Sequence, residues 1–185
     1  MKLIAGLGNP GRSYSRHRHN VGFLVLGELA RRHGISVAKR SFGAEIGMGS
    51  MCGESVILAA PMKYMNVSGE PVRDILGYYK LGADSLIVVH DDIDIELGRI
   101  KIAKGAGHGG HNGVRSIIEK LGDKDFLRIR VGVGRPPEGM DGADYVLAPF
   151  HEEDAEIVRR SVEEASDAVE LIMEEGLAAA QQKYH

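Results

Sequence analysis

The chain has 185 residues, 43% of them hydrophobic and 26% charged, with a formal net charge of −3 at pH 7. These values are typical of one globular domain, and no apolar run approaches the roughly 18 residues that a membrane-spanning helix needs. A single cysteine, Cys52, excludes an internal disulfide. Together with an N-terminus that lacks a signal-peptide cleavage site, it predicts a cytoplasmic protein without a membrane partner.

The charge is divided unevenly along the chain. Residues 151–185 contain ten acidic and three basic side chains, a net charge of −7. This leaves 16 acidic and 20 basic side chains in residues 1–150, a net charge of +4. We therefore expect an acidic C-terminal helical segment from about residue 151, and a body that has room for a basic, nucleic-acid-binding surface.

Apolar periodicity predicts alternating strands and helices. Strands are expected at residues 2–7, 44–49, 55–60, 86–89, 99–104 and 127–133. Helices are expected from about Asn20 to Gly34, after an N-cap at Ser68, over residues 113–121, and along an apolar stripe from Val158 to Ile172. This order predicts an α/β fold: a single domain over residues 1–185, with a mixed, twisted β-sheet between two layers of helices.

Two glycine-rich loops follow predicted strands. GLGNPG (6–11) matches the dinucleotide-binding pattern G-x-G-x-x-G, but no helix opens within it, and Arg31 and Arg32 stand where an acidic residue is required. NAD binding is therefore excluded. KGAGHGGHNGVRS (104–116) offers backbone N–H groups to an anion, yet it lacks the pattern of a nucleotide P-loop. No G-x-S-x-G motif occurs, so an acyl-transfer enzyme of this sequence would use activated water rather than a serine.

Polar side chains follow several predicted strand ends. RHRHN (16–20) contains two candidate bases, His17 and His19, between which spacing does not choose. Asn9 and Asn66 carry amides that both donate and accept hydrogen bonds. Asp91, in HDDID (90–94), directly follows a buried strand, where a carboxylate is costly to place without a function.

Two other readings remain open at this point. A metal-dependent hydrolase would use His90, Asp91, His108 and His111 as ligands, although the glycines between the histidines disfavour a closed metal site. A non-catalytic RNA-binding module is supported by the alternating Arg128 and Arg130 of one predicted strand.

Six motifs in order resemble bacterial peptidyl-tRNA hydrolase: GLGNPG (6–11), YSRHRHNVGF (14–23), PMKYMNVSG (61–69), HDDID (90–94), GHGGHNG (107–113) and FLRIRVGVGRP (126–136). Each motif is weak alone, but the ordered set is specific and extends from Lys2 to about Phe150. The resemblance implies a monomeric enzyme without cofactor or metal. Such an enzyme hydrolyses the ester between the peptide and the 3′ ribose in peptidyl-tRNA, and so returns tRNA to translation in ribosome rescue.

The resemblance also implies roles by position. His19 matches the family's general base and Asp91 its partner, and Asn9 matches the residue that separates N-blocked from free aminoacyl groups. Neutral imidazole accepts a proton from water near pH 7, and a carboxylate fixes its tautomer. An amide of Asn9, Asn66 or Asn112 would hold the oxyanion, and the motifs do not select one. Positions that contact tRNA in the family are matched by Tyr14, Tyr64, Asn66 and Asn112.

The departures from the family pattern concern the surroundings of the site. His17 and Lys63 replace threonines, and Ala106 replaces a glycine. Some members carry a lysine just before the glycine-rich run. In this chain Ala103 lies in that region, flanked by Lys101 and Lys104. From the basic body and the tRNA substrate that the resemblance implies, we predict phosphate contacts at Lys101, Lys104, Arg130 and Arg135.

Overall fold

The computed structural model describes residues 1–185 and contains seven strands and six α-helices. The strands are β1 (Lys2–Gly6), β2 (Lys39–Ser41), β3 (Ala44–Met51), β4 (Glu54–Pro61), β5 (Leu86–Asp92), β6 (Ile100–Lys104) and β7 (Leu127–Gly132). The helices are α1 (Val21–His33), α2 (Gly69–Tyr78), α3 (Asn112–Leu121), α4 (Gly142–Val146), α5 (Ala155–Glu175) and α6 (Leu177–Tyr184). None of these helices is both long and apolar enough to cross a membrane.

All seven strands form one sheet in the order β2-β3-β4-β1-β5-β7-β6. The central pairs β4–β1, β1–β5 and β5–β7 are parallel, whereas the outer pairs β2–β3, β3–β4 and β6–β7 are antiparallel. Helices cover both faces, which explains why the central strands are nearly continuous apolar runs. The predicted three-layer α/β fold with a mixed sheet is confirmed.

The two faces of the sheet have separate apolar cores. Ile87 and Val89 of β5 pack in the core beneath α1, α5 and α6. Leu86 and Val88 pack in the other core, beneath α2 and α3. Because successive side chains of a strand alternate between faces, Asp91 follows Ile87 and Val89 on the α1 side at the carboxyl end of the sheet.

Helix α1 begins unusually close to the end of β1. A Cβ atom on Gly6 would lie 2.3 Å from the carbonyl oxygen of Gly22, and one on Gly22 would lie 2.5 Å from the carbonyl oxygen of Val89. Only glycine permits this approach of helix and strands. The turn before α1, which contains His19, is thereby brought over the ends of β1 and β5.

One local prediction, the Ser68 cap, needs correction, and two further features were not predicted. Ser68 does not cap α2, because it is itself in a helical conformation and its hydroxyl donates to the Met65 carbonyl. Ser116 accepts the Gly69 N–H in its place, at 2.9 Å. The C-terminal helical segment is divided in two at Gly176, which has a φ of 92°. The short elements β2 and α4 were not expected, since neither has enough residues to show a period.

The acidic segment also interacts with the body more than its charge suggested. Arg32 of α1 pairs with Asp167 at 2.7 Å and with Glu170 at 3.1 Å, and it also pairs with Glu28 of its own helix. Burial alone lowers the pKa of Arg32, but these carboxylates raise it above its usual value. Part of the negative charge of α5 therefore holds α5 against α1 instead of facing water.

Candidate active site

The loop between β1 and α1 is anchored by a buried arginine. The Arg18 guanidinium donates to the carbonyl oxygens of Tyr145 and Ala148, at 3.1 and 3.3 Å, and its Cζ lies 3.9 Å from the centre of the Tyr145 ring. Arg18 is therefore a structural residue. The next residue, His19, lies over the carboxyl end of the sheet and is 9% exposed.

One carboxylate binds two histidines at the centre of the site. The Nδ1 atom of His19 lies 2.8 Å from Asp91 Oδ2, and the Nε2 atom of His111 lies 2.9 Å from Asp91 Oδ1. Asp91 is only 2% exposed. The two imidazole rings are 4.8 Å apart between centroids, so the three side chains form one compact group.

The hydrogen bonds determine the protonation of His111. Its Nδ1 accepts the backbone N–H groups of Gly113 and Val114 at the start of α3, at 3.1 and 3.2 Å. A ring nitrogen that accepts carries no hydrogen, so the His111 proton is on Nε2 and is donated to Asp91. The carboxylate thus receives one hydrogen bond that does not depend on His19.

The same reasoning leaves His19 with a free acceptor. Its Nδ1 faces the Asp91 carboxylate and therefore carries the hydrogen. In the neutral ring, Nε2 is then unprotonated, and the side-chain hydrogen bonds of His19 within the chain are made by Nδ1 alone. Such a nitrogen can accept a proton from a bound water.

Asp91 stays ionised in spite of its burial. Burial alone would raise the pKa of the carboxyl, but His111 and His19, which both donate hydrogen bonds to it, outweigh that effect and bring the pKa below its usual value. A carboxylate in this position orients the His19 ring and stabilises its charged form.

A cavity of about 210 Å³ opens on this group. His19, Asp91, His111 and Asn112 line it together with His108 and parts of residues 92–93, 109–110 and 142–146. Of the three asparagines considered for the oxyanion, Asn112 is the one that borders the same cavity as His19.

Asn9 is held in place by three hydrogen bonds. Its Oδ1 accepts the Met65 N–H at 2.7 Å, and its backbone exchanges two hydrogen bonds of 2.9 Å with the amide of Asn20. The Oδ1 contact fixes the orientation of the amide, and Nδ2 has no partner in the chain. Asn9 borders a second, more apolar cavity of about 340 Å³, with Phe23, Leu24 and Met62 among its walls.

The other predicted substrate contacts form an aromatic row near Asn9. Tyr64 is 61% exposed and packs edge-to-face on Tyr14, with 6.4 Å between ring centroids. Tyr14 packs in the same way on His17, at 5.3 Å. Asn66 is exposed on the turn that follows Tyr64.

Comparison with known proteins identifies the family. The profile described as "Peptidyl-tRNA hydrolase" matches residues 3–185. The chain belongs to the peptidyl-tRNA hydrolase family. It is 51% identical over 185 residues to the peptidyl-tRNA hydrolase of Rhodococcus erythropolis strain PR4, covering 99% of this chain and 97% of that protein.

More distant members agree with this assignment. The peptidyl-tRNA hydrolase of Bacillus cereus strain Q1 is 47% identical over 170 residues, which are 92% of this chain and 91% of the relative. The crystal structure of peptidyl-tRNA hydrolase from Acinetobacter baumannii superposes with a TM-score of 0.93 at 33% identity, covering 100% of this chain and 94% of that one. The family predicted from the motifs is confirmed.

The predicted basic contacts differ in how freely they can bind a phosphate. Arg130 pairs with Asp92 at 2.8 Å, Arg135 pairs with Asp94 at 3.0 Å, and Lys104 lies 4.0 Å from Asp125. Lys101 is exposed and has no carboxylate partner. Of the four predicted phosphate contacts, Lys101 is therefore the one whose positive charge is not paired with a carboxylate.

Arg128 is a further cation on the face of β7 that carries Arg130. It is 4% exposed, and its guanidinium makes no hydrogen bond within the chain. Burial and the neighbouring Arg130 lower its pKa. This burial weakens the support that the alternating Arg128 and Arg130 gave to an RNA-binding module.

The structure does not assemble the four ligands of the alternative metal site. The ligand atoms that do lie together, within 4.8 Å, belong to His19, Asp91 and His111. His90 is buried with its Nδ1 on the Asp91 carbonyl oxygen, and His108 accepts the Gly110 N–H. Metal binding at His111 Nε2 would move the ring hydrogen to Nδ1, against two backbone N–H donors. The donor set is therefore poorly matched to a metal.

His111 is the site residue whose position the sequence reasoning missed. It was considered only as a metal ligand, although it directly precedes α3. A polar side chain at that position caps the first backbone N–H groups of a helix. That signal was present in GHGGHNG (107–113), but the contact with Asp91 spans 20 residues and needed the folded chain.

Proposed function

We propose that this chain hydrolyses the ester between the peptide and the 3′ ribose of peptidyl-tRNA, with His19 as general base and Asp91 as its partner. The observation that carries the proposal is the Nδ1 contact of His19 with Asp91, which leaves Nε2 unprotonated and unpaired. All groups of the proposed mechanism lie on one chain, so a monomer suffices. The tRNA substrate places the reaction in the cytoplasm.

The proposed reaction begins with a water that donates a hydrogen bond to His19 Nε2. As the water oxygen attacks the ester carbonyl, Nε2 accepts its proton, and the imidazolium is stabilised by the Asp91 carboxylate. The proton then passes to the 3′ oxygen of the ribose as the ester bond breaks. General base catalysis of this kind contributes about 10²–10⁴-fold.

The two asparagines are given different roles. Asn112 borders the cavity of His19, which supports a hydrogen bond from its amide to the developing oxyanion. Asn9 has a fixed amide whose Nδ2 is free. We assign that donor to the carbonyl oxygen of the first peptide bond, a group that free aminoacyl-tRNA lacks. Tyr14, Tyr64 and Asn66 would contact the 3′ end of the tRNA.

A turnover assay tests the proposed function. Incubation of the purified chain with N-acetyl-aminoacyl-tRNA is expected to release N-acetyl-amino acid and tRNA, and free aminoacyl-tRNA is expected to react far more slowly. EDTA should leave the rate unchanged, because water is activated by imidazole. Activity lost to EDTA and restored by zinc would favour a metal-dependent hydrolase, and binding of tRNA without turnover would favour an RNA-binding module.

Lys101→Ala should weaken tRNA recognition without slowing the chemistry. The variant is expected to raise KM for full-length peptidyl-tRNA and to reduce the salt slope of binding by about 0.9 log units per log unit of salt, the value for one phosphate contact on a duplex. The measurement is KM at two salt concentrations. Lys39→Ala is the matched control, because Lys39 is also exposed without an ion pair and lies on β2, at the opposite edge of the sheet. Equal effects of both variants would contradict a contact at Lys101.

A further inference from the structure

We propose that residues 12–17 and Pro149 form a binding site for a backbone phosphate of the single-stranded 3′ end of tRNA. The inference rests on the proposed function and adds an anion site on the loop that leads to His19, apart from Lys101 on β6. The site is a cavity of about 270 Å³, lined by Arg12, Ser13, Ser15, Arg16, His17 and Pro149. Apart from the proline, every side chain in this wall is polar or charged.

The two arginines of this cavity are free to bind an anion. Arg12 and Arg16 are exposed, and neither has a carboxylate partner or a side-chain hydrogen bond within the chain. Arg130 and Arg135, by contrast, already pair with aspartates. A phosphate can therefore bind the guanidinium groups of Arg12 and Arg16 without first breaking an ion pair.

His17 adds an imidazole without a hydrogen-bond partner to the wall of the same cavity. Its Nδ1 atom is buried, and neither ring nitrogen has a hydrogen-bond partner in the chain. The Ser15 hydroxyl already donates to the Arg12 carbonyl, so Ser13 is the hydroxyl that remains available.

The wall of the cavity is held in place by backbone contacts. The Arg18 N–H donates to the Ala148 carbonyl at 3.1 Å, and the Phe150 N–H donates to the Arg16 carbonyl at 3.4 Å. Between them, His17 forms an antiparallel bridge with Pro149. The segment that carries Arg16 and His17 is thus ordered before any ligand arrives, which lowers the entropic cost of binding.

The neighbouring aromatic row favours a nucleic acid over other anions. His17 contacts Tyr14, and Tyr14 contacts the exposed Tyr64. Unpaired bases stack on aromatic side chains while cations hold the adjoining phosphates, a combination typical of single-strand binding. His17 and His19 are two residues apart, so their Cα atoms are separated by at most about 7 Å. The site therefore fits a phosphate next to the terminal nucleotides rather than the distant tRNA stem.

Short esters separate a phosphate contact from other effects. The substrates are N-acetyl-aminoacyl esters of the trinucleotide CCA, which has internal phosphates, and of adenosine, which has none. For Arg12→Ser with Arg16→Ser, KM of the CCA ester should rise about tenfold, the scale of two exposed charge contacts. Its salt slope should fall by about 0.7 log units per log unit of salt, the value for one phosphate contact on a single strand. The adenosine ester should keep its KM, and Arg159→Ser with Arg160→Ser on α5 controls for the loss of two charges.

Two results would overturn the proposal: an unchanged KM for the CCA ester, or an equal rise for the adenosine ester. Binding of a fluorescent single-stranded RNA that ends in CCA gives a readout independent of turnover. The double variant should bind it about tenfold more weakly at an unchanged Tm. If the native chain binds this RNA through Arg12 and Arg16 but does not hydrolyse peptidyl-tRNA, the proposed function fails while the phosphate site stands.

Discussion

His19→Ala is expected to lower kcat on peptidyl-tRNA by at least about 10²–10⁴-fold, the contribution of a general base. The reason is that two histidines contact Asp91, and of their ring nitrogens only Nε2 of His19 has no hydrogen-bond partner. Stability should change little, because Asp91 keeps its hydrogen bond from His111. The measurements are kcat under saturating substrate and Tm by circular dichroism.

Two other histidines make this result specific. His151→Ala removes an exposed imidazole far along the chain and should leave both kcat and Tm unchanged. His17→Ala should keep kcat, because His17 does not contact Asp91. Loss of kcat in His17→Ala with full activity in His19→Ala would assign the base to His17 and contradict the proposed mechanism.

Asp91→Asn is expected to reduce kcat by about 10³–10⁴-fold, on the scale of the equivalent change in a serine-protease triad, with little change in KM. The amide cannot accept hydrogen bonds from both rings, because one of its two positions is now a donor. An NH₂ group that faces His19 would favour the opposite tautomer, in which Nε2 carries the hydrogen and no longer acts as a base. Separate determination of kcat and KM tests this prediction.

His111→Asn is a useful comparison for Asp91→Asn. It removes one donor to the carboxylate but preserves the contact between His19 and Asp91. We therefore expect a smaller loss of kcat than for Asp91→Asn. A steep rise in KM for Asp91→Asn with unchanged kcat would instead mean that Asp91 binds substrate and does not act through His19.

The sequence by itself determined the layers of the fold and the end of the sheet at which the site lies. The spacing of apolar residues in a strand or helix is a local property. The buried runs of β1 and β5 and the helices between them could therefore be predicted from the sequence. The placement of Asn9 and Asp91 followed from their positions near the carboxyl ends of such strands. The ordered motifs determined the family, because six separate matches in one order carry far more information than any one of them.

Only the tertiary structure shows which of the two histidines contacts Asp91 and which ring nitrogens face a hydrogen-bond partner. His17 and His19 are equivalent in spacing, but the His17 ring packs on Tyr14, whereas His19 reaches Asp91, 72 residues along the chain. His111 acquires its tautomer from the first N–H groups of α3 and brings its proton to the same carboxylate. The ion pairs of the folded chain likewise determine which lysine and arginine side chains remain free to bind a phosphate. Each of these outcomes depends on contacts between residues far apart in sequence, and no local period encodes which side chains meet or where a shared proton lies.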